Sequence, residues 1–121
     1  MLTPGICHSK LVNTASKSYY QLLLLAGVEI YLYQKGLGHA KTLVADGKLS
    51  LIGTANMGYS SFELNFEVNV LLCHKPIAGK LSQVFFTDLE TAEKIDTELW
   101  CRRPAYEQLP EKPARLFSPV L

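Results

Sequence analysis

Six residues in one short stretch have types and spacing suited to chemistry on a phosphodiester: His39, Lys41, Asp46, Gly53, Thr54 and Asn56. A phosphodiester is anionic and resists nucleophiles. Its displacement needs a neutral nucleophile in line with the leaving group and cations or donors on the equatorial oxygens. An imidazole is available neutral near physiological pH, can carry a phosphoryl group on one nitrogen, and can then be displaced by water or an alcohol. That makes His39 the candidate nucleophile, with Lys41 and Asn56 as the donors. Side chains two apart share a face of a strand, so a strand beginning at His39 projects His39 and Lys41 together. The second ring nitrogen of His39 needs an acceptor to fix its tautomer, and Glu67 on the following strand is the candidate.

Singly, each of these residues has a plainer explanation. His39 alone reads as a surface or core histidine, Lys41 as a solvated charge and Asn56 as a turn residue. Gly53 and Thr54 suit a polar turn where the chain leaves a strand, with Gly53 allowing a close backbone approach and Thr54 offering a hydroxyl to phosphate. Asp46 belongs to the same pattern and counts among its catalytic candidates, yet Asp46-Gly47 is also the strongest short hairpin signal, which favours a scaffold role. The combination carries the weight. His-x-Lys-x4-Asp-x6-Gly-[Ser/Thr]-x-Asn fixes six positions, and at ordinary residue usage it arises by chance about once in 10^5 chains of this size or less.

The elements that must position these residues follow from periodicity. Leu11, Ala15, Tyr19, Leu22, Leu23 and Ala26 recur at helical spacing and Gly27 follows as a C-cap, predicting a helix over about 10–26. Val28 to Tyr33 reads as a strand, and Gln34 to Gly38 as the loop that delivers the chain to His39. Lys41 to Ala45 and Lys48 to Ile52, separated by Asp46-Gly47, predict an antiparallel hairpin. Gly53 to Glu63 reads as a loop, and Asn65 to Cys73 alternates as a half-buried strand. Pro76 suits a first helical turn, and Leu81, Val84, Phe85, Leu89, Ala92, Ile95 and Leu99 continue a core-facing stripe to Trp100, with a break near Thr87-Asp88. Beyond Arg103, four prolines predict an irregular tail. The expected class is α/β: a mixed sheet flanked by helices, divided into a lead-in at 1–8, a domain at 9–103 and a Pro-rich tail at 104–121.

With 121 residues the chain can form one domain at most. Hydrophobic residues at 48% and charged residues at 19% are ordinary for a folded protein. A formal net charge of +1 gives no global attraction to nucleic acid or an anionic membrane, so any anion site is local. Cys7, Cys73 and Cys101 form no Cys-x-x-Cys pair; they read as reduced, cytosol-facing thiols, and neither a metal nor a cofactor is assigned. Tyr19 to Tyr33 is broken by Gln21, Gly27 and Glu29 and falls short of the about 20 apolar residues of a membrane span. The first ten residues lack the apolar core of a signal peptide.

The stretch HAKTLVADGKLSLIGTAN resembles the His-Lys-Asp motif of the phospholipase D superfamily. SKLVNTASKSYYQLLLLAGVEIYLYQ before it, LNFEVNVLL after it, and DLETAEKIDTELWCRRP and RLFSPVL near the end are similar to the C-terminal part of bacterial cardiolipin synthases. The resemblance implies that His39 is a phosphohistidine nucleophile, that Lys41 and Asn56 bind phosphate, and that Glu67 orients His39. It implies phosphatidyl transfer to phosphatidylglycerol, giving cardiolipin, at the cytoplasmic face of the bacterial inner membrane. Phospholipid is then the substrate, a membrane surface a neighbour, and nucleic acid not a partner. Where the family commonly has Asp and then Arg-Ser after the motif Asn, this chain has Gly58 and Ser60-Ser61, and a charge pair is absent there. Family enzymes resemble two fused copies of the domain sharing one site, so a chain with one motif is expected to be an incomplete single copy of the repeat. It would need a second motif from another chain or a missing half, and be inactive alone. The competing readings are a single-motif homodimeric phosphodiesterase or nuclease and a non-catalytic truncated remnant.

Overall fold

The computed structural model describes residues 1–5, 10–35, 41–55 and 66–104, with Pro113, and gives the side chains of 10–13, 15 and 16 no description. The order of elements is β1 (Leu2–Pro4), α1 (Lys10–Leu25), β2 (Tyr31–Tyr33), β3 (Thr42–Ala45), β4 (Leu49–Gly53), β5 (Asn69–Leu72), α2 (Lys75–Leu89), β6 (Ala92–Lys94) and α3 (Thr97–Cys101). These form a mixed α/β fold in which the strands make two small sheets.

Helix α1 closes where its glycine requires. Gly27 adopts φ +91, a conformation that costs a side-chain-bearing residue roughly 1–2 kcal/mol. The amides of Gly27 and Val28 turn back to donate to Leu24 O (3.1 Å) and Leu23 O (3.0 Å), satisfying carbonyls at the helix end. The buried face differs in phase from the expected stripe. Tyr20 and Leu24, one helical turn apart, are almost fully buried, whereas Leu22 is 52% exposed. They pack with Ile30 and Ile95, and Met1, Leu23, Val28, Leu32 and Trp100 surround this core. Tyr20 meets Trp100 of α3 with ring centroids 5.6 Å apart, and the Arg103 guanidinium lies 3.7 Å from the centre of the Trp100 ring.

The first sheet has the order β1-β2-β6, with β1 parallel and β6 antiparallel to β2. The second is antiparallel throughout, in the order β3-β4-β5. One mixed sheet flanked by helices was expected. Both edges of β2 are already occupied by β1 and β6, which leaves the hairpin no edge to join and makes it the start of a second sheet. Within the lead-in at 1–8, Leu2–Pro4 pair with Tyr31–Tyr33.

The helical stripe expected to run to Trp100 with a break near Thr87-Asp88 is corrected beyond that break. The helix ends at Leu89, the chain turns at Glu90 and Thr91, and Ala92–Lys94 pair with Tyr31–Tyr33 before α3 begins. Helical spacing through Ala92 and Ile95 is overridden by the ladder that β2 offers. Asp96 caps α3 by accepting a hydrogen bond from Leu99 N at 3.1 Å. Helix α2 contacts strands of both sheets, and its Ala78 is fully buried. Pro76 stands in its first turn. The tail beyond Pro104 lies outside the described residues, apart from Pro113.

Lys94 Nζ lies 3.2 Å from Glu29 Oε1, both side chains being mostly exposed. Lys94, as hydrogen-bond partner, followed by the Tyr31 hydroxyl, holds the Glu29 carboxyl below its ordinary value of 4.5. Glu29 in turn raises Lys94 above its ordinary 10.5. A lowered carboxyl contributes above its unfolded value and loses that contribution as pH falls; a raised amine contributes below its unfolded value and loses it as pH rises. The pair therefore supports folding fully between 4.5 and 10.5. Glu29→Gln should be slightly less stable than wild type within this window in urea titrations, and the two should converge in acid and in high salt.

Ser50, the second residue of β4, is fully buried, and its hydroxyl has no hydrogen-bond partner among the described residues. It faces Val44 and Leu72 across the ladder. A buried hydroxyl without a partner costs free energy. Ser50→Ala should leave stability unchanged or raise it by about 1 kcal/mol in urea unfolding, and a clear loss would show that the hydroxyl is satisfied.

Candidate functional site

The second sheet has two ends with different contents. At one, Ala45 and Lys48 are joined by Asp46 (φ +54) and Gly47 (φ +62), with Lys48 N donating to Ala45 O at 3.1 Å. Two successive positive φ values make this the tight hairpin turn whose twist matches the strands. Asp46 thus stands about 16 Å along the strand from Lys41. The structure does not bring Asp46 together with the other motif residues at the far end of β3.

That far end holds Lys41, Gly53, Thr54, Glu67 and Asn69. The turn fixes the register, which runs from Ala45 opposite Leu49 to Thr42 opposite Ile52. One step further, Gly53 N donates to Lys41 O at 3.2 Å. On the other side of β4, Gly53 pairs with Asn69. A Cβ on Gly53 would lie 2.5 Å from Val68 O and would overlap the Asn69 carboxamide oxygen. Glycine is therefore required here by the approach of the neighbouring chain, and its own φ plays no part.

Beyond Gly53 the chain leaves the sheet through Thr54. Thr54 N donates to Val68 O at 3.0 Å, as a ladder residue would. The reciprocal bond is different, since Val68 N donates to Thr54 Oγ1 at 3.0 Å. The hydroxyl takes the place a backbone carbonyl would fill. The same Oγ1 donates to Glu67 Oε2 at 2.5 Å. Glu67 is half-buried, between a fully exposed Phe66 and a mostly exposed Val68. Glu67 was expected within a strand running from Asn65 to Cys73; it lies two residues before β5, which spans only Asn69–Leu72.

The structure thus gathers Lys41, Gly53, Thr54 and Glu67 at one end of the sheet. His39 and Asn56 lie outside the described residues, as do Gly58, Ser60 and Ser61. Asn69 was not singled out from the sequence. Its signal was period two: it follows Glu67 by two residues, and its carboxamide occupies the space above Gly53, in the row that continues to Lys41. Among the described residues, no group of three or more His, Cys, Asp or Glu is placed to hold a metal ion. No described helix is long and apolar enough to cross a membrane.

Comparison with known proteins gives the family. Residues 1–89, ending at the last residue of α2, match the family described as "Cardiolipin synthase, PLD-like domain". The chain belongs to that family. All 121 residues align with the cardiolipin synthase of Geobacillus sp. (strain WCH70) at 46% identity, covering 24% of that protein. They align with the cardiolipin synthase of Clostridium perfringens (strain SM101 / Type A) at 40%, covering 25% of it. The probable cardiolipin synthase YwiE of Bacillus subtilis (strain 168) is 41% identical over the same 121 residues, which are 24% of its length. The chain therefore spans about a quarter of the length of these relatives, and the aligned region includes both the first strand and the tail. No solved structure matches it.

Gly53→Ala tests the close approach at this PLD-like site. The added methyl must displace Val68 O or the Asn69 side chain, and overpacking of this kind costs about 1–3 kcal/mol. Thermal unfolding should show that loss, whereas Asn69→Ala should recover only part of it, because the Val68 carbonyl remains.

Proposed function

We propose that this chain supplies one motif half of a cardiolipin synthase-type phosphatidyltransferase, which moves a phosphatidyl group between phosphatidylglycerol molecules through a phosphohistidine. The observation that carries this reading is the Thr54 to Glu67 hydrogen bond at the end of the sheet where Lys41 meets Gly53. It ties the Glu67 carboxylate to Thr54 of the motif, which supports reading Glu67 as the acceptor for His39. The family match and relatives that are cardiolipin synthases support the substrate class.

In the first step, a lone pair on one ring nitrogen of His39 attacks phosphorus while the bond to the glycerol oxygen breaks. The departing oxygen takes a proton from an acid on the second motif, and the phosphatidyl group remains on nitrogen. In the second step, a hydroxyl of another phosphatidylglycerol gives its proton to that group and attacks phosphorus, the N–P bond breaks, and His39 returns. Lys41 and Asn56 bind the phosphate oxygens, and Glu67 accepts from the other ring nitrogen and steadies the imidazolium. Asp46 acts through the turn it makes. The second motif comes from the remainder of a longer polypeptide or from another chain, in keeping with relatives about four times as long. A phospholipid substrate puts the work at a membrane surface, and the resemblance to bacterial cardiolipin synthases supports the cytoplasmic face.

The nucleophile can be tested without the second motif by using a phosphodiester whose p-nitrophenolate leaves unprotonated. The purified chain should then acquire acid-labile phosphoryl label on His39, and His39→Ala should acquire none. With labelled phosphatidylglycerol, turnover should appear only when a second motif is supplied, and DNA should not be cleaved. Absence of label on His39 from every substrate would leave the non-catalytic reading. Glu67→Gln should slow label formation by about 10²-fold or more, because the wrong tautomer is then held, with little loss in thermal unfolding.

A further inference from the structure

We infer that Thr54 is the positioning residue for Glu67: its hydroxyl, anchored by the Val68 amide, commits its one proton to Glu67 Oε2 and so sets where the carboxylate stands. The inference rests on the reading of Glu67 as the acceptor for His39 and assigns Thr54 to that relay in place of a role as phosphate donor.

The donor count carries the argument. A threonine hydroxyl has one proton to give and two lone pairs to receive with. Val68 N donates to Thr54 Oγ1 at 3.0 Å. Glu67 Oε2 receives the proton at 2.5 Å, whereas the oxygen to Val68 O distance is 3.4 Å, too long to compete. With its proton on Glu67, Thr54 has none left for a phosphate oxygen. Its lone pairs would meet such an oxygen as like charge.

The anchoring is rigid because it is part of the ladder. Thr54 N donates to Val68 O at 3.0 Å, and Gly53, the preceding residue, is tied to Lys41 O at 3.2 Å. The hydroxyl is therefore held by its own backbone and by the Val68 amide, one residue after the carboxylate it serves. A charge-assisted bond from a fixed donor selects one orientation of a long side chain that would otherwise sample several. A motif position open to Ser or Thr fits this role, since either supplies the hydroxyl at the same place.

The test uses the whole chain and three variants, Thr54→Ser, Thr54→Val and Thr54→Ala. All three keep the bonds from Thr54 N to Val68 O and from Gly53 N to Lys41 O, while Thr54→Val and Thr54→Ala also give up the bond from the Val68 amide, and Thr54→Ala serves if the larger valine disturbs folding. The first measurement needs no turnover: the side-chain carboxyl of Glu67 is followed by carbon NMR through a pH titration. Removing a donor to the charged form should make Glu67 titrate at higher pH in Thr54→Val and Thr54→Ala, and Thr54→Ser should follow wild type. The second measurement is formation of phosphohistidine with the p-nitrophenyl ester. The maximal rate should fall about tenfold in Thr54→Val, the factor expected for one lost hydrogen bond to a charged group, with half-saturation within about twofold and rescue in Thr54→Ser. An unchanged Glu67 titration in Thr54→Val and Thr54→Ala overturns the inference. So does a raised half-saturation at unchanged maximal rate, the mark of a phosphate donor. Failure of the Glu67 reading itself would appear separately, as wild-type rates in Glu67→Gln.

Discussion

The tight turn at Asp46 and Gly47 governs this end of the molecule more than any other single constraint. Two consecutive residues with positive φ close the hairpin in one register, and a slip of one residue would turn every side chain of β3 to the opposite face. From that register follows the approach of Lys41 to Gly53, about 16 Å away at the other end of the strand. A residue far from the site can thus decide the site's geometry through the ladder alone.

Strand β4 then carries the consequence to the other side. Its last residue has no side chain because Val68 and Asn69 come too close for one, and the following Thr54 replaces a backbone acceptor with a hydroxyl. The chain can leave the sheet toward Asn56 without abandoning the Val68 amide. The hydroxyl that makes this exit possible also holds Glu67. One oxygen thus receives the Val68 amide and donates to the Glu67 carboxylate.

The two sheets are connected through packing. Their strands share no ladder, but α2 touches both, and the buried cluster around Tyr20, Leu24, Ile30 and Ile95 draws α1 and β2 together with the segments flanking β6. Several apolar residues of the second sheet remain substantially exposed, Val68, Val70 and Leu71 among them. The core is concentrated beside the first sheet, and the site lies at the end of the second.

What the residues alone determined was mainly local. Gly27 after an apolar helical run, Asp46-Gly47 between two β-rich runs and Pro76 at a helix start each restrict backbone torsions in ways that residue type reveals, and α1, the hairpin and the start of α2 are legible for that reason. The family was legible because the six positions of the motif are unlikely to coincide by chance. Tertiary structure decided the rest. Whether Ala92–Lys94 is helix or strand depends on an edge of β2 some sixty residues earlier in the chain. Which face of α1 is buried depends on where Ile30, Ile95 and Trp100 stand. The purpose of Gly53 and the partner of the Thr54 hydroxyl appear only once β5 is laid beside β4, because pairing across the chain selects among contacts that local spacing leaves equivalent.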